Sequence, residues 1–535
     1  MPSMTEASDS SSFVTTDPSA GDPSPLRLAS PSDVSAGLGV EVVVDTASGA
    51  LAGVRRGQVT SWLGVPYAAP PVGSLRFADP QPVARWTGTR PARSYGPSAR
   101  QPTAIRLPAR LAKLATGGQS EDCLTLNVWS TGPGGDARPV LFWIHGGAFE
   151  TGSGSLYSGA ELAELGDIVV VTINYRLGAL GFVDLRDLFD DDRFASNTGL
   201  RDQLAALQWV RDNIRAFGGD PDRVTIAGES AGAGSVGALL VCDRAQGLFA
   251  GAICQSGGLN QVCDTEHGVE IADVFARQLG VSRENRADMF VMDPDRLTAA
   301  MTATRRLRVE KFSTRPFFDG DLLPATRSEA HAYPTAPVPL LSGTNHDEVT
   351  MFHALRQKIM PLSRVVVVNA MTHQLGAAKT DAILAMYPKD RAGLLQMGTD
   401  LAFEMPSREV AETHARRAPV WRYRFDFPSP MLFGRIGATH GLELWFLFDM
   451  QPPRSRRMLL GRVTDEILAL STRMKTAWVS FVRDGDPGDG WAPYKVDGPL
   501  DRQRNTMIFD GVDHQEIDPS RARRLVWEPF TPTIP

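Results

Sequence analysis

The sequence predicts an α/β fold in which helices flank a large and mostly parallel β-sheet. Two observations support this prediction: short, almost continuously apolar runs recur along the chain, and longer amphipathic segments separate them. A run of this kind is typical of a parallel strand, because helices cover both of its faces. With 535 residues, 42% of them apolar, the chain can build a large core.

Apolar runs at three places in the first half of the chain are predicted to be parallel strands: residues 140–144, 168–173 and 223–227. Between the second and third runs, Leu, Val and Ile recur at helical spacing over residues 200–217, and two glycines follow, which is typical of a helix end. The order strand, helix, strand implies parallel strands joined by a crossover helix. Later runs at 338–341 and 420–425 are predicted to be further strands.

The composition divides the chain into a short tail and one large domain. Residues 1–38 are rich in Ser, Thr, Asp and Pro and lack the basic and apolar regions of a secretory signal, so they are predicted to be a disordered tail. A regulatory or artificially added segment is the alternative. No linker divides residues 39–535, which are predicted to form one domain with insertions near residues 265–315 and 350–415.

Charge and cysteine content argue against several classes of protein. The net charge of −6 is unlike that of a nucleic-acid binder, which usually carries a clustered basic surface. No apolar stretch approaches the ~20 residues that cross a bilayer, so no membrane partner is predicted. The spacing of the four cysteines, Cys123, Cys242, Cys254 and Cys263, does not match a zinc site. Buried reduced thiols in a cytoplasmic enzyme are expected instead.

The segment GESAG at 228–232 places Ser230 between a predicted strand and a predicted helix over 231–242. A serine on such a turn can act as a nucleophile, since the flanking glycines allow close packing and the helix N-terminus favours negative charge. This five-residue pattern is a weak signal in a chain with 50 glycines, and an ordinary glycine-rich turn is the alternative. The strand before it and the helix after it favour the nucleophile.

The segment HGGAF at 145–149 directly follows the first predicted strand and is interpreted as an oxyanion hole. An ester carbonyl gains negative charge when serine attacks it, and each preorganised backbone N–H lowers that barrier by roughly 3 kcal/mol. The predicted donors are Gly147 and Ala148, joined by Ala231 after the nucleophile. The alternative is a glycine turn that ends a strand, and His145 alone is more typical of a structural histidine.

Further segments match those of a known family in the same order along the chain. They are LGVPYA at 63–68, PPVG at 70–73, SEDCL at 120–124, NYRLG at 174–178 and FGGDP at 217–221. Over residues 42–530 the chain thereby resembles the type-B carboxylesterases, and in particular the bacterial para-nitrobenzyl esterases, which also carry HGGAF. The resemblance implies the α/β-hydrolase fold, hydrolysis of carboxylic esters, and no metal or organic cofactor.

The resemblance also implies a catalytic triad of Ser230, Glu348 and His440. In the family's acid segment, matched by GTNHDE at 343–348, the second of two adjacent acids belongs to the triad, which favours Glu348 over Asp347. Val349 departs from the pattern, because the family usually has glycine there.

The catalytic histidine is predicted from GATHGLEL at 437–444, which matches the family's histidine segment. His145 and His346 are the competitors among the nine histidines. The order serine, acid, histidine is the order of α/β-hydrolase triads, and it favours His440.

Two ion pairs familiar from the family are predicted to be structural: Arg76 with Glu121, and Arg176 with Asp202. Ser256 is predicted to be either a partner of the catalytic site or a simple turn residue.

The sequence says less about the substrate. The resemblance implies that the segment before Glu121 helps line the substrate gorge, where cholinesterases carry a tryptophan that holds the choline group by a cation–π contact. Residues 99–119 contain no Trp, Tyr or Phe, so the resemblance implies short-chain or aryl esters instead. Phe312 is predicted to border the acyl pocket, with an ordinary core position as the alternative. A carbamate or amide hydrolase with the same triad, a lipase and a non-catalytic binding protein are the competing functions.

The expected partner is a small-molecule ester, and the protein is expected to be a monomer or a weak homo-oligomer. Secreted members of the family pair the cysteine equivalent to Cys123 with one further upstream. Here Ala99 occupies the matching place, which implies an unpaired Cys123 and a cytoplasmic location.

Overall fold

A sheet of 13 strands organises the chain and confirms the predicted α/β class. The computed structural model describes residues 39–102, 118–134, 137–307, 314–332, 336–354, 364–450, 457, 459–488, 490–500 and 503–528. The strands are β1 (Val40–Thr46), β2 (Gly49–Arg56), β3 (Val59–Pro66), β4 (Thr89–Pro91), β5 (Thr125–Ser130), β6 (Arg138–Ile144), β7 (Tyr157–Ser158), β8 (Val169–Ile173), β9 (Gly219–Glu229), β10 (Gly251–Gln255), β11 (Leu340–Asn345), β12 (Val420–Phe425), β13 (Asp449–Met450), β14 (Asn505–Phe509) and β15 (His514–Ile517).

The strand order is β1-β2-β3-β5-β8-β6-β9-β10-β11-β12-β14-β15, with β4 paired to β2, while β7 and β13 form a separate pair. All neighbours from β8 to β14 in this order are parallel. The other neighbours in this order are antiparallel, while β4 pairs with β2 in parallel. All five predicted runs lie in the parallel part. The run predicted at 338–341 begins later, at Leu340, because Pro339 has no N–H to donate to a neighbouring strand.

The α-helices of the described residues are α1 (Ala160–Gly166), α2 (Ala179–Phe182), α3 (Arg186–Phe189), α4 (Thr198–Asn213), α5 (Ala231–Leu240), α6 (Thr265–Leu279), α7 (Pro294–Leu307), α8 (Arg327–Ala332), α9 (Thr350–Ala354), α10 (Arg364–Leu375), α11 (Ala377–Leu384), α12 (Arg391–Thr399), α13 (Met405–His414), α14 (Leu444–Leu447), α15 (Asp465–Asp484) and α16 (Arg521–Trp527). The helix predicted over 200–217 is α4 followed by a short 3-10 turn, and it ends where Gly218 takes a positive φ of 83°. A π-helix, Asp400–Glu404, joins α12 to α13.

Side chains alternate along the parallel strands and build a core on each face of the sheet. In β6, Val140 and Phe142 pack into a cluster with α4 and α5, whereas Leu141 and Trp143 pack into a second cluster with α1 and α15. Because successive side chains of a strand point to opposite faces, a strand covered on both sides must be apolar throughout. This is why an uninterrupted apolar run predicts β6 correctly.

The predicted insertions are helical and have small cores of their own. Helices α6 and α7 belong to one cluster, and α10 to α13 belong to another that includes Trp527 from α16. The described residues from Val40 onward form one compact unit. The tail predicted for residues 1–38 lies outside the described residues, so its boundary stays a prediction. No helix in the described part of the chain combines the length and apolarity needed to cross a bilayer.

Candidate active site

The loops that carry the predicted site residues all follow parallel strands. Residues 145–149 follow β6, and Ser230 follows β9. Glu348 and His440 come from the loops after β11 and β12, and Ser256 directly follows β10. Because the carboxyl ends of parallel strands lie at one edge of a sheet, segments that are far apart in sequence meet there.

Ser230 lies on a sharp turn between β9 and α5. Its φ of 56° and ψ of −122° belong to a region that non-glycine residues rarely adopt, and its N–H donates to Gln255 O at 2.9 Å. The turn brings the start of α5 against the end of β6: a Cβ at Gly232 would lie only 2.1 Å from Ile144 O. Glycine is therefore required at this position for the close approach that the motif predicts.

The predicted oxyanion donors surround the same turn. A Cβ at Gly146 would come within 3.1 Å of Ser230 Cβ, so the HGGAF segment lies directly against the serine. Within the described part of the chain, the N–H groups of Gly147 and Ala148 donate to no acceptor. Ala231 is the first residue of α5, where a helical N–H has no intrahelical acceptor. The three N–H groups predicted to act as oxyanion donors are thus not used in the backbone hydrogen bonds of the described residues.

His145 has a structural place beneath this loop. Its ring stacks on Tyr175 with centroids 4.5 Å apart, and Tyr175 Oη donates to His145 O at 2.8 Å. Burial lowers the pKa of His145 to about 4, so the ring is neutral near pH 7. These contacts support a structural role for His145 next to residues 146–149.

Glu348 contacts His440 directly. Glu348 Oε2 lies 2.6 Å from His440 Nδ1, while Glu348 Oε1 accepts from Ser256 Oγ at 2.6 Å and from the N–H of Asn345 at 2.8 Å. The Glu348 carboxylate is completely buried, and these donors hold it in one orientation. The structure therefore makes Ser256 a partner of the site.

The other nitrogen of the imidazole points towards the serine turn. His440 Nε2 lies 3.1 Å from Glu229 Oε1, and Glu229 is the residue immediately before Ser230. This is an ion-pair contact and lacks the geometry of a hydrogen bond. Two aromatic rings flank the imidazole, Phe403 with its centroid at 4.6 Å and Phe352 at 5.2 Å. No local sequence pattern predicts the contact of these two rings with His440.

Asp347, the other candidate acid, forms hydrogen bonds with Ala438 of the histidine loop. Its N–H donates to Ala438 O at 2.9 Å, and its Oδ2 accepts from the N–H of Ala438 at 3.0 Å. It thereby links the acid loop to the histidine loop. His346 contacts Asp347 at 3.1 Å. The geometry places Glu348, and not its neighbour, on the imidazole of His440.

Comparison with known proteins shows the family of this chain. The model of the carboxylesterase family matches residues 40–511. The chain belongs to the carboxylesterase family. It is 36% identical over 492 residues to the para-nitrobenzyl esterase of Bacillus subtilis, covering 90% of this chain and 97% of the relative. It is 34% identical over 476 residues to the phenmedipham hydrolase of Pseudarthrobacter oxydans, covering 85% of this chain and 94% of the relative.

Solved structures confirm the α/β-hydrolase fold. A PNB esterase structure superposes on the chain with a TM-score of 0.82 at 35% identity, covering 91% of this chain and 99% of that one. A thermophilic PNB esterase gives the same TM-score and covers 90% of this chain. The protein is accordingly an enzyme that hydrolyses carboxylic esters.

In this carboxylesterase, three buried carboxyl groups surround one imidazole: Glu229, Glu348 and Glu443 with His440, here called the histidine cluster. Glu443 Oε2 accepts from Asn345 Nδ2 at 2.6 Å, and its Oε1 accepts from Gln255 Nε2 at 3.2 Å. The burial of Glu443 in this cluster is not predicted from the sequence, because a glutamate three residues after a histidine gives no local sign of burial. Glu229 stands in the nucleophile motif, but the motif does not reveal its contact with His440.

The pKa values of Glu229, Glu443 and His440 are shifted upward in the histidine cluster. Burial raises the pKa of Glu229 to about 7, and burial together with the charges of Glu229 and Glu348 raises that of Glu443 to about 8. Burial alone would lower the pKa of His440, but the charges of Glu229 and Glu348 outweigh it and raise that pKa to about 9. For His440 the carboxylate charges thus outweigh burial, whereas for Glu229 and Glu443 burial is the largest effect.

The departure from the family pattern at Val349 has a structural explanation. Val349 is fully buried in a small apolar cluster with Ala402 and Phe403, beside the imidazole. Its side chain fills space in this cluster that a glycine would leave open.

The remaining sequence predictions have mixed outcomes. Both predicted ion pairs of the esterase are confirmed, at 2.5 Å for Arg76 with Glu121 and 2.6 Å for Arg176 with Asp202. The four cysteines are buried and free. Phe312, the predicted border of the acyl pocket, lies outside the described residues.

Proposed function

We propose that this carboxylesterase works through an acyl-enzyme intermediate on Ser230, with His440 as general base and Glu348 as its orienting acid. The observation that carries the proposal is the 2.6 Å contact from Glu348 Oε2 to His440 Nδ1, with His440 Nε2 directed to the residue before Ser230. Glu348 holds the tautomer in which Nε2 is free to accept a proton.

The reaction follows from these positions. Nε2 of His440 takes the proton of Ser230 Oγ as the oxygen attacks the ester carbonyl. The N–H groups of Gly147, Ala148 and Ala231 stabilise the negative charge on the carbonyl oxygen. His440 then gives its proton to the departing alcohol, and water activated by the same imidazole releases the acid. The charges of Glu348 and of ionised Glu229 stabilise the imidazolium that forms at each step.

Short-chain or aryl esters are the proposed substrates. One relative is a para-nitrobenzyl esterase, and the aromatic rings of Phe352 and Phe403 flank the imidazole. A carbamate hydrolase with the same triad is the second candidate, which the phenmedipham hydrolase relative supports. If the ester proposal is right, kcat/KM for a para-nitrophenyl ester exceeds that for the matched N-methylcarbamate, and the reverse order supports the second candidate.

We further propose a cytoplasmic monomer or weak homo-oligomer. The four buried free cysteines support this location, and a titration of the unfolded, non-reduced protein should find four thiols. Fewer than four would contradict the proposal.

Ser230→Ala tests the nucleophile. We expect kcat on para-nitrophenyl acetate to fall by about 10⁵-fold or more, because a triad without its nucleophile keeps only the catalysis due to binding and the oxyanion hole. Ser235→Ala is the matched control, since Ser235 is a buried serine of α5 that accepts from Gln203 Nε2 at 3.0 Å. A fluorophosphonate should label wild type and Ser235→Ala once, at Ser230. Substantial turnover by Ser230→Ala, or labelling of another serine, would reject the assignment.

A further inference from the structure

The π-helix Asp400–Glu404 lies beside the proposed base. Phe403, its fourth residue, is buried and tilts over His440 with an interplanar angle of 38°. A π-helix places an extra residue in one turn, and such turns recur at functional sites. The backbone around Phe403 therefore has an unusual geometry that the rest of the fold must hold in place.

Three charged or polar contacts hold the end of the π-helix. Glu404 accepts from Arg408 at 2.9 Å, from Arg422 at 2.6 Å and from Thr344 Oγ1 at 2.8 Å. All four residues are buried. Charge-assisted hydrogen bonds of this length are strong and directional, so they fix the backbone next to Phe403.

The start of the π-helix is held by residues from α11–α12 and from the C-terminus. Asp400 is buried and accepts from Tyr387 Oη at 2.6 Å and from Arg523 Nε at 2.7 Å. Trp527 Nε1 in turn donates to Tyr387 Oη at 2.7 Å. Arg523 and Trp527 both belong to α16. The C-terminal helix therefore reaches the π-helix by two routes.

A third route joins the C-terminal segment to the other end of the π-helix. Asp518, just before α16, accepts from Arg408 at 3.1 Å, and Arg408 donates to Glu404. Arg524 of α16 donates to the same Asp518 carboxylate at 2.7 Å. Both ends of the five-residue π-helix are thus connected to residues 518–527.

We propose that residues 518–527 form a C-terminal brace that holds the π-helix and so keeps Phe403 against the imidazole of His440. Phe403 is a positioning residue in this proposal, which rests on the role of His440 in the proposed function. The hydrogen bond with Glu348 fixes Nδ1 of the imidazole but allows the ring to rotate about that atom. The rings of Phe403 and Phe352 restrict this rotation and exclude water from the imidazole.

Phe403→Leu tests the contact with the imidazole. We expect kcat to fall by about 10- to 100-fold with KM changed by less than about threefold, since small displacements of a catalytic group cost rates of this order. Phe290→Leu is the matched control: Phe290 is similarly buried, but it packs against Phe77 and Phe194 in another cluster. A lower melting temperature in both variants with kcat lowered only in Phe403→Leu supports positioning. Equal kcat in both variants would overturn it.

Arg523→Met tests the brace itself, about 120 residues along the chain from the π-helix. We expect kcat to fall by about 3- to 10-fold, with partial recovery in Arg523→Lys, because lysine can still reach Asp400 as a point charge. Arg521→Met, an exposed arginine of the same helix, is the control and should match wild type. Arg523 is partly exposed, so its substitution is compatible with folding. Wild-type kcat in Arg523→Met would overturn the brace.

Ser230→Ala, measured in the same series, separates this proposal from the proposed function. If Ser230→Ala retains turnover, the assigned triad is wrong and the role of Phe403 falls with it. If Ser230→Ala is inactive but Phe403→Leu and Arg523→Met match their controls in kcat, the triad stands and the C-terminal brace alone is rejected.

Discussion

Two buried clusters of charge lie close together in this enzyme and behave in opposite ways. The histidine cluster places three carboxyl groups around one imidazole. The second, here called the arginine cluster, places Glu404 and Asp518 among Arg408, Arg422 and Arg524. Almost all of these side chains are buried to a similar degree. The difference between the clusters is the number of cations that face the carboxylates.

The pKa values follow that number. Burial by itself would raise the pKa of Glu404 and Asp518 in the arginine cluster, but the guanidinium charges outweigh burial and lower both values. In the histidine cluster, with one titratable cation, the pKa of Glu229 and Glu443 rises to about 7 and about 8. Several guanidinium groups thus lower the pKa of the carboxyl groups that they face, whereas burial dominates for Glu229 and Glu443, which face a single imidazole.

The largest effect should come from removing the acid that contacts the imidazole. In Glu348→Gln we expect kcat to fall by about 10⁴-fold, because the amide stabilises the wrong tautomer of His440. The melting temperature should change little. Steady-state kinetics and thermal unfolding measure the two quantities. A variant with near-wild-type kcat would break the comparison, since the histidine cluster would then not be the catalytic one.

The matching change in the arginine cluster should act mainly on stability. Glu404→Gln leaves Arg422 without its carboxylate and Arg408 with Asp518 as its remaining carboxylate, which should lower the free energy of unfolding by roughly 3–5 kcal/mol. Loss of kcat should be far smaller than in Glu348→Gln. Urea unfolding followed by circular dichroism measures the change. A fully stable Glu404→Gln would show that the arginine cluster contributes little to the architecture.

Glu443→Gln should reveal the unbalanced charge through pH. The pKa of Glu443 in the folded enzyme, about 8, lies above that of an unfolded glutamate, so the folded state retains a proton that the unfolded state has lost. Stability from this group is therefore lost as pH rises from about 5 to above 8. Glutamine cannot ionise, so the melting temperature of the variant relative to wild type should increase over this range, by an amount on the order of a few degrees.

Glu164→Gln, an exposed glutamate of α1, is the control for that series and should show no such pH trend. If the difference in melting temperature between Glu443→Gln and wild type stays constant from pH 5 to pH 9, the pKa of Glu443 is not raised by folding.

The smallest expected effect concerns the hydroxyl that holds Glu348. Ser256→Ala removes the 2.6 Å hydrogen bond to Glu348 Oε1, and we expect kcat to fall by about 10-fold, since one charge-assisted hydrogen bond is worth roughly 1.5–3 kcal/mol. Ser471→Ala, which removes a buried hydrogen bond to Phe446 O and none to the histidine cluster, is the matched control and should keep wild-type kcat. If Ser256→Ala and Ser471→Ala have equal kcat, Ser256 has only a structural role.

Local patterns along the chain predict much of the structure of this protein. The apolar run at 140–144 predicts a strand covered on both faces, and the GESAG segment predicts the turn at Ser230, because both depend only on neighbouring residues. The order of Ser230, Glu348 and His440 likewise follows from short motifs that a family preserves.

The tertiary structure alone decided which groups act on the imidazole. Nothing near Glu443 in the sequence indicates that it is buried beside Glu229, and nothing near Phe403 indicates a contact with His440. The link from Arg523 to Asp400 spans 123 residues. Burial and charge balance depend on what the folded chain brings together, and local sequence patterns carry no record of these long-range contacts.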